Sequence, residues 1–146
     1  MRKQRPKVFL DTSALIAGVA SVRGAARAVL QLAEIGLIEV IVSRQVIVEA
    51  DRNIEEKLPE MLDGYREFIE LLAPVFIDDP RQNDVERFSK MINYADAPIF
   101  ASAVNSGADF LITWDKHFIG KKFTIRSNLK IVTPGEFLKY FRESIE

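Results

Sequence analysis

Four acidic residues in this sequence fall where α/β proteins do chemistry. Asp11 follows Lys7-Val8-Phe9-Leu10, Glu49 follows the run that ends at Val42, Asp96 stands two residues before Pro98, and Asp115 lies just beyond Phe110-Leu111-Ile112-Thr113. Carboxylates brought together repel and raise one another's pKa values, so such a cluster is costly when empty. A hard divalent cation removes that cost, and oxygen-only donors select Mg²⁺ or Mn²⁺ over zinc. Such an ion lowers the pKa of a bound water and stabilises a departing oxygen, so the reaction this equipment fits best is hydrolysis of a phosphodiester.

Each acid also has a plainer local role. Asp11 could simply cap a helix starting at Thr12 and Ser13, and Asp96 could cap the helix that Pro98 enters in its first turn. Glu49 could be a solvent glutamate paired with Arg52 or facing Asn53, and Asp115 a turn residue before Lys116 and His117. What unites them is the position of the elements that carry them.

Short apolar runs at 7–10, 37–42, 75–77, 110–113 and 130–132 read as strands. Helical stretches are expected at 23–35, 43–57, 59–72, 83–93, 96–106 and 134–144. Strands alternating with helices imply an α/β sandwich, a parallel sheet of about five strands with helices on both faces, because a parallel crossover needs a helix-length connection. Ligands of open α/β sheets bind beyond the carboxyl ends of the strands. Asp11 and Asp115 follow such ends. The helix of Glu49 leaves one, and the helix after Asp96 must descend before the strand at 110 rises, so all four acids are expected on one edge.

A chain of 146 residues fits a single domain, here expected over 1–146, and 48% hydrophobic with 28% charged residues is a globular balance. The absence of cysteine excludes disulfides, thiolate zinc sites and cysteine nucleophiles. The basic start, Arg2, Lys3, Arg5 and Lys7, precedes an apolar run that Asp11 interrupts, so a basic tail on a cytoplasmic protein is expected rather than a signal peptide or membrane anchor. A net charge of -1 hides an uneven distribution. Residues 1–48 carry 7 basic and 3 acidic side chains, residues 49–86 carry 4 and 12, and residues 87–146 carry 9 and 6. Low net charge therefore does not exclude a nucleic-acid substrate. The acidic middle reads as a charged helical pair, since Leu58, Met61, Leu62, Tyr65, Phe68, Ile69 and Leu72 recur at near-helical spacing.

Four stretches together resemble the PIN-domain family, including the toxin nucleases of VapBC-type toxin–antitoxin pairs. They are Val8 to Ile16, Ser43 to Glu49, Asp96-Ala97-Pro98-Ile99-Phe100-Ala101-Ser102-Ala103, and Gly107 to Lys116, followed by a typical close, Ile131 to Leu138. The resemblance implies a metal-dependent ribonuclease with Mg²⁺ or Mn²⁺, acidic ligands at Asp11, Glu49, Asp96 and Asp115, and helper hydroxyls at Thr113 and at Ser13 or Thr12. It also implies RNA as partner, a homodimer, and a cognate antitoxin if the chain is a toxin. Asp109 precedes its strand and is expected at the opposite edge, outside the site. Trp114 either packs under its loop or stacks on a base.

Lys116, Lys121, Lys122 and Arg126 follow Asp115 with no acid among them and are expected to contact RNA. A serine-hydrolase reading fails, because the only histidine is His117 and no nucleophile elbow is present. No P-loop or dinucleotide glycine pattern occurs. A receiver-like phospho-acceptor would also place acids at strand ends, and formation of an acyl phosphate distinguishes it. The alternative from another class is a catalytically inactive PIN-like module that binds RNA or protein.

Overall fold

The computed structural model describes residues 5–90, 96–115 and 128–145. Three runs of branched and aromatic apolar residues form the centre of the sheet: β1 (Lys7–Leu10), β2 (Glu39–Ser43) and β4 (Phe110–Ile112). Val8, Phe9, Leu10, Leu111 and Ile112 are buried, as strands covered on both faces must be. The edges are β3 (Val75–Ile77) and β5 (Lys130–Val132), both more exposed. The order is β3-β2-β1-β4-β5, and every pairing is parallel.

Seven α-helices lie among the described residues: α1 (Thr12–Ala20), α2 (Ala25–Glu34), α3 (Arg44–Lys57), α4 (Leu62–Leu72), α5 (Gln82–Ser89), α6 (Ala97–Asn105) and α7 (Pro134–Ser144). Helical crossovers carry the chain outward from β1 through β2 to β3 and then back to β4, and parallel crossovers of one hand place the outward and returning helices on opposite faces. Accordingly α1 packs on α2 and α3, α2 on α4 and α7, while α5 and α6 pack together. The Phe88 and Phe100 rings meet edge-to-face at 5.1 Å and lock α6 onto α5.

Several boundaries differ from those expected. Helix α1 was not among the predicted helices, because its nine residues are apolar almost all round and show no amphipathic stripe. Strand β2 starts at Glu39 rather than 37, since the chain turns through Gly36 at φ 81 and leaves Leu37 exposed. The single helix expected over 59–72 is a 3-10 turn at Pro59–Met61 followed by α4. Helix α5 ends at Ser89, and positions 91–93 of the expected helix lie outside the described residues. Among the described residues no single helix is long and apolar enough to cross a membrane; α1 and α2 together are, but they meet at 90° and both contribute to the core.

Candidate functional site

The strand order reverses direction between β1 and β4, which makes the carboxyl ends of these neighbours a natural crevice. Asp11 sits there, its backbone N–H still bonded to the carbonyl of Ile112 at 3.2 Å. Its side chain is only 3% exposed. Oδ1 accepts from the Ser13 hydroxyl at 2.8 Å and the Ala14 amide at 2.9 Å, and Oδ2 accepts from the Thr113 hydroxyl. Asp11 therefore does cap α1, and it is also the most buried acid of the cleft. Burial lifts its carboxyl above the ordinary value of 3.8; the bonds from Thr113, Ala14 and Ser13 oppose the rise, and the charge of Asp115 adds to it.

Glu49 faces the same space from α3, where it borders the buried stripe of Val46, Ala50 and Ile54. Its Oε2 accepts from the Thr12 hydroxyl at 2.8 Å and its Oε1 from Gln45 Nε2 at 2.9 Å. Helix α3 itself begins on a Ser43 cap, with Asp79 Oδ1 accepting from the Gln45 amide at 2.9 Å. Asn53 donates to the Glu49 carbonyl at 2.9 Å and also lines the cleft. Gln45 was not singled out from the sequence, although it stands four residues before Glu49, the spacing at which helical side chains meet.

Asp96 precedes α6, and its side chain makes no capping bond to that helix. The plainer reading of this residue is thus not what the structure displays. Asp115 follows β4, its amide donating to Thr113 Oγ1 at 2.8 Å. Asp11, Glu49, Asp96 and Asp115 line one cleft of about 440 Å³ together with Thr12, Ser13, Ile16, Asn53 and Ile99. Among the described residues, however, no three acids stand close enough to grip one ion by themselves. The donor set is oxygen-only and includes a carboxylate penalised by burial, which is the chemistry a hard divalent cation relieves. Asp109 lies apart, its Oδ2 accepting from the amide of Lys7 at the amino end of β1. Lys116, Lys121, Lys122 and Arg126 lie outside the described residues.

The family model described as PIN domain matches residues 7–117, a span that holds all four acids. The chain belongs to the PIN-domain family. PIN domains are generally nucleases and typically use divalent metal ions. The crystal structure of PAE2754 from Pyrobaculum aerophilum is similar to this PIN domain with a TM-score of 0.65 and 18% identity, over 94% of this chain and 90% of that one. At that identity the likeness shows the fold. No curated protein matches the chain.

Proposed function

We propose that this PIN domain is a Mg²⁺- or Mn²⁺-dependent endoribonuclease in which the cleft acids Asp11, Glu49, Asp96 and Asp115 would hold the cation, one or two directly and the others through waters that such an ion keeps. One observation carries the reading: four carboxylates from four separate segments line a single cleft at the carboxyl edge of the sheet. A divalent ion bound there supplies charge neutralisation, a more acidic water and stabilisation of the leaving oxygen. The chain's own part is positioning. Ser13 and Thr113 fix the two oxygens of Asp11, and Thr12 with Gln45 fixes those of Glu49. Partners of this kind orient ligating carboxylates and tune their affinity.

Lys116, Lys121, Lys122 and Arg126 are proposed as phosphate contacts on the grounds of charge and proximity in sequence to Asp115. A toxin role in the cytoplasm follows the same family reasoning, with a homodimer as the working unit and an antitoxin whose Arg satisfies the carboxylates. Incubating the purified protein with labelled RNA and DNA pools in Mg²⁺, Mn²⁺ or EDTA tests the activity. RNA cut only when the ion is present is the expected result. Preferred cleavage of DNA overturns the substrate, and RNA bound but uncut under every condition leaves a binding module.

A further inference from the structure

Three aromatic side chains are prominently exposed among the described residues: Phe76, Trp114 and Tyr140. Tyr140 is engaged by the ring of Phe110 and by Lys130, and Phe76 lies on the edge strand β3. Trp114 alone belongs to the segment that builds the carboxylate cleft, between Thr113 and Asp115, and its side chain is 47% exposed.

The tryptophan is tied to the site through its backbone. Its amide donates to Ser13 Oγ at 3.1 Å, and the Ser13 hydroxyl donates to Asp11 Oδ1 at 2.8 Å. On either side, Thr113 bonds Asp11 and Asp115 lines the cleft, whereas Trp114 is not among the residues that line it. The backbone that carries this large, half-exposed ring is thus anchored next to the carboxylates, while the ring itself stands outside the cleft lining. In a nucleotide chain the base likewise stands beside the phosphate. A phosphate at the carboxylates leaves its neighbouring base free to lie on an adjoining ring, and such stacking tolerates any sequence because every base has a π-face.

We infer that Trp114 is a nucleobase-stacking residue, forming a base subsite at the rim of the carboxylate cleft. The inference rests on the ribonuclease reading for the phosphate in the cleft and adds to it the ring that positions the neighbouring nucleotide. Trp114 is a positioning residue in this scheme, outside the reacting atoms.

The chain contains one tryptophan, so its intrinsic fluorescence reports this side chain alone. The full chain is titrated, in Ca²⁺ in place of Mg²⁺, with a short oligouridylate and with an abasic ribose-phosphate chain of equal length, while anisotropy of a label on each probe follows binding. The oligouridylate is expected to quench the tryptophan and the abasic chain to leave it unchanged. Trp114→Ala is expected to weaken oligouridylate binding by about 5- to 150-fold, with Trp114→Phe recovering much of the loss and neither altering affinity for the abasic chain. In cleavage the Ala variant raises KM and leaves kcat nearly unchanged. Saturating oligouridylate binding without quenching, or an Ala variant that loses affinity equally for both probes, overturns the stacking role while leaving the ribonuclease reading intact. Binding of neither probe by the wild type overturns both.

Discussion

The hydroxyl of Thr113 donates to Oδ2 of Asp11, joining the ends of β1 and β4 across 102 positions of sequence. The same hydroxyl oxygen accepts the Asp115 amide at 2.8 Å, so one fully buried threonine orients two of the four acids.

Thr113→Val keeps the shape of the side chain and removes both bonds. It is expected to cost about 1–3 kcal/mol, because a buried carboxylate oxygen and a backbone amide each lose their partner. Since the Thr113 bond opposes the rise in the Asp11 pKa, the variant also lifts that carboxyl further. Thr113→Ser, which keeps the hydroxyl, is expected to lose less; equal urea midpoints for wild type and Thr113→Val would contradict this role.

The burial of Asp11 has a pH signature. A folded-state pKa raised above 3.8 means that the folded chain holds the proton more tightly than the unfolded chain. Stability without metal therefore falls as pH rises from the unfolded value through the folded one, and the cost is complete above it. Asp11→Asn carries no such cost, so its advantage over wild type is expected to grow across that window and to stay level on either side. Urea melts in EDTA across the acidic range measure it, and a difference independent of pH speaks against burial as the main cause.

Gln45 acts on Glu49 in the same way that Thr113 acts on Asp11. Removing its amide in Gln45→Leu frees Glu49 Oε1 and is expected to weaken Mn²⁺ binding by about 10- to 100-fold. Both side chains are half-buried, so the melting temperature without metal should change little. Calorimetric titration with Mn²⁺ checks it, and unchanged affinity removes Gln45 from the site.

How much of this was legible beforehand differs between elements. Strands β1 and β4 announce themselves because both faces are buried and nearly every residue is apolar. Asp11 and Asp115 could be placed by the strands they follow, and Asp96 by the proline that fixes a helix start. The cleft's inner bonds were only half visible. Ser13 and Thr113 follow from their closeness to an acid, whereas the pairing of Thr12 with Glu49 spans 37 positions and depends on how α1 crosses α3. Helix α1 itself was obscured by its own composition, Thr-Ser-Ala-Leu-Ile-Ala-Gly-Val-Ala, in which packing rather than periodicity decides the structure.

That packing is testable at Gly18. A Cβ there would meet Leu30 Cδ1 at 2.4 Å and the Ala26 carbonyl oxygen at 3.2 Å, so α1 approaches α2 as closely as it does only with glycine. Gly18→Ala is expected to destabilise by about 1–3 kcal/mol through overpacking, despite the better helix propensity of alanine. A thermal melt showing a gain would mean that Leu30 moves aside freely.

The central claim, that the carboxylate cleft cuts RNA, is tested most directly at Asp96, which lines the cleft and makes no capping bond to its own helix. Cleavage of one labelled RNA by wild type and by Asp96→Asn is measured in Mn²⁺ at matched concentration, with a melting curve for each. The account predicts metal-dependent cutting by the wild type and loss of about 100-fold or more in the variant, the scale on which a cation contributes to the transition state, at an equal or higher melting temperature in EDTA. An Asp96→Asn protein that folds and cuts at the wild-type rate contradicts it.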